Sequence, residues 1–310
     1  MHLMRSAALC ALALLMAGCG ASSSPASQPT SSATGSTPPS TPITVVASTN
    51  VYGDIVKQVG GDRVAVTSII SDPAQDPHSY EANTQNQLAL SKAKVVVENG
   101  GGYDDFVDTM IKSSGNSSAE IINAVAVSGR TAPAGGELNE HIWYDFPSVA
   151  KIADRISAAL TKADPASAAT FTANADAFKN KLQPLVDHEA KIAADAGGAA
   201  VAITEPVPLY VLDAAGLKNL TPEEFSEAIE EGNDVSAEVL RETLALLSDK
   251  KVEALVYNEQ TSGPQTEQLK KAAEDNGIPV VTLTETLPEG EDYIGWMTAN
   301  LDALQAALAT

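Results

Sequence analysis

The sequence predicts an α/β protein of two lobes, each a mainly parallel sheet flanked by helices, joined by one long helix. Three observations carry that prediction. β-Branched runs alternate with helix-period segments after Pro42 and again after Gly198, the pattern of parallel strands linked by helices. Between the two series, Pro165 to about Ala196 keeps one helical period. The chain has 310 residues, enough for two domains with separate cores.

In chain order, Ile43 to Ser48 reads as a buried strand and Thr49-Asn50 as a helix start, with Val51 to Val59 helical. Val64 to Ile70 is a strand, Gln85 to Lys92 a helix, and Lys94 to Glu98 a strand. Asn99-Gly-Gly-Gly102 turns the chain into a helix near Asp104 to Ser113, where Asp104 and Asp105 are helix-start acids. Pro147 to Lys162 is amphipathic, with Val149, Ile152, Ile156 and Leu160 on one face. In the long helix Phe171, Ala175, Phe178, Leu182 and Leu185 share a face. Pro184 should kink it or shift its register, and Gly197-Gly198 ends it. The second series has strands at Ala199 to Thr204, Val252 to Tyr257 and Val280 to Leu283. Its helices run from Leu209 to Gly216, Ser236 to Ser248, Pro264 to Asn276 and Tyr293 to Leu308.

The composition is that of a globular protein, with 44% hydrophobic and 19% charged residues. A net charge of -21 excludes the basic footprint that nucleic-acid binding needs, and chiefly keeps the surface solvated. Both cysteines, Cys10 and Cys19, fall at the start, so the body has no disulfide and no thiolate metal site.

Residues 1–18 read as a lipoprotein signal peptide. A short positive start precedes an apolar run too short to span a bilayer, and Leu15-Met16-Ala17-Gly18-Cys19 looks like a lipobox with Cys19 as the lipidated residue. Residues 19–42 are mostly Ser, Thr, Pro, Ala and Gly and read as a disordered tether. The expected lobes are 43–163 and 199–310, joined by the linking helix 164–198. The expected location is the extracytoplasmic face of the cell membrane, held by the N-terminal lipid, with the protein a monomer.

His2 lies in the signal, and His188, between Asp187 and Glu189, reads as a surface residue of the long helix. His78 and His141 lie in loops: Asp76-Pro77-His78-Ser79-Tyr80-Glu81 and Glu140-His141-Ile142-Trp143-Tyr144-Asp145. Asp145 is placed to cap the helix starting near Pro147. Glu205 and Glu285 each follow a strand of the second series, and open α/β sheets bind ligands beyond the carboxyl ends of their strands. Two neutral imidazoles and two carboxylates would meet a divalent ion of borderline-to-hard character and balance its charge. Glu259, also after a strand, is a supporting residue at most, and Glu81 or Glu140 could hold the second ring nitrogen of a metal-bound histidine.

These segments resemble the zinc/manganese substrate-binding lipoproteins of metal-ion ABC importers. Asp76 to Glu81 is similar to that family's D-P-H-x-Y/W-E motif, and His141 to Asp145 to its H-x-W-x-D motif. Val96 to Gly102 resembles its N-G-x-G turn, and Tyr293 to Leu308 its C-terminal helix. Thr204-Glu205-Pro206 and Leu283-Thr-Glu-Thr286 fall where the family has its third and fourth ligands. The resemblance covers nearly all of the chain after Pro42. It implies His78, His141, Glu205 and Glu285 as metal ligands, a cargo of manganese or zinc, and delivery to a membrane permease with its ATPase. Glu205 stands where the zinc branch has histidine, and Thr131 to Asn139 is short and has no histidine. Both departures favour Mn2+ over Zn2+. The alternative is a metal-containing surface adhesin. An enzyme is not expected, because the chain has no H-E-x-x-H helix and no G-x-S-x-G elbow.

Overall fold

The computed structural model describes residues 41–72, 80, 83–134 and 136–309. The signal, Cys19, the tether, His78 and Glu81 lie outside the described residues. All that follows concerns the compact unit Ser40–Thr310.

The first lobe contains β1 (Ile43–Thr49), α1 (Asn50–Gly60), β2 (Val64–Ile70), α2 (Thr84–Lys92), β3 (Val95–Glu98), α3 (Asp105–Ser114), β4 (Glu120–Asn123), α4 (Ala124–Ser128) and α5 (Phe146–Ala163). Its four-stranded sheet is parallel, in the order β2-β1-β3-β4. After α6 (Ala168–Ala196) come β5 (Ala200–Ile203), α7 (Leu209–Ala214), β6 (Lys218–Asn219), α8 (Glu223–Glu230), α9 (Ala237–Ser248), β7 (Ala254–Asn258), α10 (Pro264–Asp275), β8 (Val280–Leu283) and α11 (Tyr293–Leu308). The second sheet is also parallel, in the order β6-β5-β7-β8. Each sheet builds out on both sides of its first strand, so its switch point lies beside β1 or β5, where strand ends open a crevice.

Several short elements lack a clear signal in the sequence. β4 carries only two apolar residues, β6 is a two-residue edge, and α4 is a single turn after Asn123, whose side chain accepts from Ala126 N. α8 begins with Glu223 and Glu224 at its positive end and hides only Phe225 and Ser226.

α6 stays helical through Pro184. Pro184 and Asn180 are both exposed, so water can reach the carbonyl that proline leaves without a donor. The buried stripe of α6 holds the residues read from the sequence, with Glu189 and Ile192 added. His188 is only 15% exposed, a correction to its reading as a solvated residue. Its Nε2 lies 2.9 Å from Gln305 Oε1, tying α6 to α11. Asp145 stands at the N-cap of α5, but its carboxylate makes no cap bond to the backbone: it takes Arg130 at 2.8 and 2.9 Å and accepts from the Ser148 hydroxyl.

One apolar core runs through both lobes. It joins Val45, Val97, Phe146 and Phe171 to Val201, Val256, Tyr293 and Trp296. Smaller clusters cover the other faces of the sheets. Polar contacts close the seam. The Tyr144 hydroxyl donates to Thr284 O at 2.7 Å, and that of Tyr293 to Trp143 O at 2.5 Å. The Asn50 amide bonds both polar backbone atoms of Leu287, at 2.7 and 2.9 Å.

Candidate metal centre

The second lobe brings its carboxylates together through sheet order. Glu205 follows β5 by two residues and Glu285 follows β8 by two. β7 runs between those strands and ends at Asn258, whose amide nitrogen has two hydrogens. It donates to Glu205 Oε2 and, at 2.8 Å, to Glu285 Oε1. Thr204 Oγ1 accepts from Asn258 N at 2.9 Å and so fixes the backbone. Gln260 Oε1 accepts from the backbone N of Glu285 at 2.5 Å and of Thr286 at 3.1 Å. The two acids are therefore held side by side, 2% and 1% exposed.

The first lobe supplies His141, which is fully buried. Its ring packs on Trp143 at 5.1 Å and Tyr103 at 6.0 Å between centroids. Asn139 Oδ1 lies 2.7 Å from Nδ1 and accepts from the His141 backbone at 3.1 Å. That contact directs Nε2 towards the acids, 3.8 Å from Glu285 Oε2 and 3.5 Å from Glu230 Oε1. The loop is held at both ends. Asn99 Nδ2 donates to Glu140 O at 2.9 Å, and Tyr210 OH to Asn139 O at 2.7 Å across the seam. Asn99 sits in the glycine turn after β3, pinned by Asp104, whose carboxylate accepts from Asn99 N at 2.6 Å and Gly100 N at 2.7 Å.

His141 Nε2 and Glu205 Oε1 are buried with no hydrogen-bond partner. Leaving such atoms unsatisfied is costly unless a ligand meets them. Burial alone would lower the His141 pKa. The carboxylates of Glu285, Glu230 and Glu140 outweigh it and raise the ring from 6.5 to about 9. Burial, then the charge of Glu285, raises Glu205 to about 7. The cluster holds protons that a divalent cation can replace, which is the electrostatics of a cation site.

The structure brings His141, Glu205 and Glu285 to one place. Of the first motif only Tyr80 is described. Its hydroxyl accepts from Asn86 Nδ2 at 2.5 Å, and its ring packs on Phe106 at 4.4 Å. Two supporting assignments change. Glu259 is exposed, and the preceding residue, Asn258, braces the acids instead. The second nitrogen of His141 meets Asn139 and not Glu140, because Asn139 folds back over its own loop. The carboxylate of Glu140 does join a compact group with His141 and Glu230. Sequence reasoning missed Asn258, Asn139 and Glu230. Asn258 could have been found as the polar end of a buried strand, whereas Glu230 stands in an acid-rich helix that reads as solvated surface.

Two parallel-sheet lobes on one long helix, with a buried loop imidazole of the first beside carboxylates at strand ends of the second, agree with the chain's family match in marking an extracytoplasmic metal-binding protein of the ABC-importer class. It is a solute-binding transport protein and not an enzyme. The chain belongs to the family described as ZnuA, zinc-uptake complex component A, periplasmic, which matches residues 45–307. The manganese ABC transporter substrate-binding lipoprotein scaA of Streptococcus gordonii is 25% identical over 287 residues, 86% of this chain and 89% of that one. The iron ABC transporter substrate-binding lipoprotein MtsA of Streptococcus pyogenes serotype M1 is 26% identical over the same shares. The solved periplasmic zinc binding protein TroA from Treponema pallidum has the same fold, with a TM-score of 0.74 at 21% identity over 87% of this chain and all of that one.

Proposed function

We propose that this protein captures manganese in the cleft between its lobes, with His141, Glu205 and Glu285 as ligands and His78 as the fourth. The observation that carries the reading is the convergence of buried His141 Nε2 and Glu205 Oε1, both without a hydrogen-bond partner, beside Glu285. Manganese accepts carboxylate-rich sites, and glutamate rather than histidine at position 205 makes this set oxygen-rich. The relatives' names cover manganese, iron and zinc, so the donor set carries the choice of ion.

In this reading residues 1–18 direct export, Cys19 carries the lipid, and residues 19–42 tether the lobes 43–163 and 199–310 with their linking helix 164–198. The protein then works as a monomer at the outer face of the membrane. It passes its ion to a permease coupled to an ATPase, which docks on both lobes and shifts them apart enough to weaken the site. The stiff α6 limits that motion to small tilts.

The test is calorimetric titration of chelator-stripped protein with Mn2+ and Zn2+, beside His141→Ala and His78→Ala. One tight site, lost in both variants, supports capture by this ligand set. The absence of a tight site for either ion refutes it.

A further inference from the structure

Glu230 is the last residue of α8, and its carboxylate is 15% exposed. Its Oε1 is buried without a hydrogen-bond partner and lies 3.5 Å from His141 Nε2. Two donor atoms each about 2.1 Å from one ion and 3.5 Å apart subtend about 110° at it, an ordinary ligand angle. Glu230 therefore stands where a cation held by His141 would touch it.

Its surroundings are otherwise hostile to an anion. The C-terminal end of a helix carries partial negative charge. Glu140, Glu205 and Glu285 lie close enough to add their own repulsion. No lysine or arginine is paired with Glu230 among the described residues. On its other side lies a cavity of about 680 Å3 whose lining includes Glu137, Glu140, Glu223, Glu227 and Glu231. Glu230 is thus the carboxylate shared by the acidic cavity and the buried donors.

We propose that Glu230 is a metal ligand outside the family's four-residue pattern, a third carboxylate that favours manganese over zinc. The inference rests on the assignment of His141, Glu205 and Glu285 to the site. Three carboxylates beside one imidazole suit an ion that accepts hard oxygen ligands and more than four of them, whereas zinc is satisfied by a tetrahedron.

The test compares the stripped protein with Glu230→Gln and Glu230→Asp in competitive Mn2+ and Zn2+ titrations. Manganese coordination is read by X-ray absorption. Both variants are expected to weaken Mn2+ binding about 10- to 100-fold, with Zn2+ weakened about threefold or less and one fewer oxygen around manganese. Glu230→Asp keeps the charge but withdraws the carboxylate, so it separates ligation from a mere field effect. Glu230→Gln takes one acid out of a crowded group, and the metal-free variant is expected to melt no lower than the parent. Parent-like affinity for both ions in Glu230→Gln overturns the inference, as does Glu230→Asp behaving like the parent. A parent protein that binds neither ion removes the underlying site assignment as well, and the two failures are thereby told apart.

Discussion

Asn258 is a small residue with a large positional effect. Its one amide group holds two acids that would otherwise repel, and a shorter side chain frees both. Asn258→Ala is expected to lower Mn2+ affinity about 10- to 100-fold, measured by competition with a metallochromic indicator. Glu189 makes a different prediction. It is 4% exposed, and burial, then the charge of Asp145, raises its pKa from 4.5 to about 8. Between those values the folded chain keeps a proton that the unfolded chain sheds, so stability falls as pH rises across that window. Glu189→Gln should therefore flatten the loss. Melting of metal-free protein at pH 4 and pH 8 checks it, and equal slopes in parent and variant refute the assignment. The polar end of a buried strand marks Asn258 in the sequence but not the two acids it holds, and Glu189 is marked no better. Helical spacing places position 189 on the buried face, but Asp187-His188-Glu189 reads as a charged run, and only the packing of α6 against α5 and α11 shows which side is covered.

At the scale of elements, the turn after β3 is the joint on which the His141 loop rests. Gly100, Gly101 and Gly102 all have positive φ, at 77°, 73° and 102°. A Cβ on Gly100 would stand 2.1 Å from Asn123 Nδ2, so this position needs both left-handed backbone and empty space. Gly100→Ala is expected to cost about 1–3 kcal/mol, seen as a lower urea midpoint, and to weaken metal binding by moving Asn99 and the Glu140 carbonyl it holds. The main strands and helices were legible because their apolar periods are strong. β6 and α8 were not, since their short or acid-rich sequences take their shape from pairing with β5 and from covering Phe225.

At the scale of the whole molecule, the shared core makes the lobes one thermodynamic body. Phe171 and Phe178 of α6 share a buried cluster with residues of both sheets. A single cooperative melting transition is expected by calorimetry, and two separated transitions would contradict a shared core. Since the apolar core needs no ion, chelation should leave the protein folded, as far-ultraviolet circular dichroism can show. Saturation at 100 times the dissociation constant should add about 2.7 kcal/mol, a rise of roughly 5–10 °C in melting temperature. Unfolding on chelation would instead mark the metal as structural.

The sequence by itself determined the α/β class, the doubled strand series, the long central helix and the loops that carry His141, Glu205 and Glu285. Those features are local: hydrophobic period, turn residues and motif spacing are written in consecutive positions. Only the tertiary structure decided that Asn258 braces the two acids, that Asn139 directs His141, and that Glu230 reaches the same ring. Each of those contacts joins residues whose meeting depends on strand order or on how a helix end or a loop packs, and no local period encodes that.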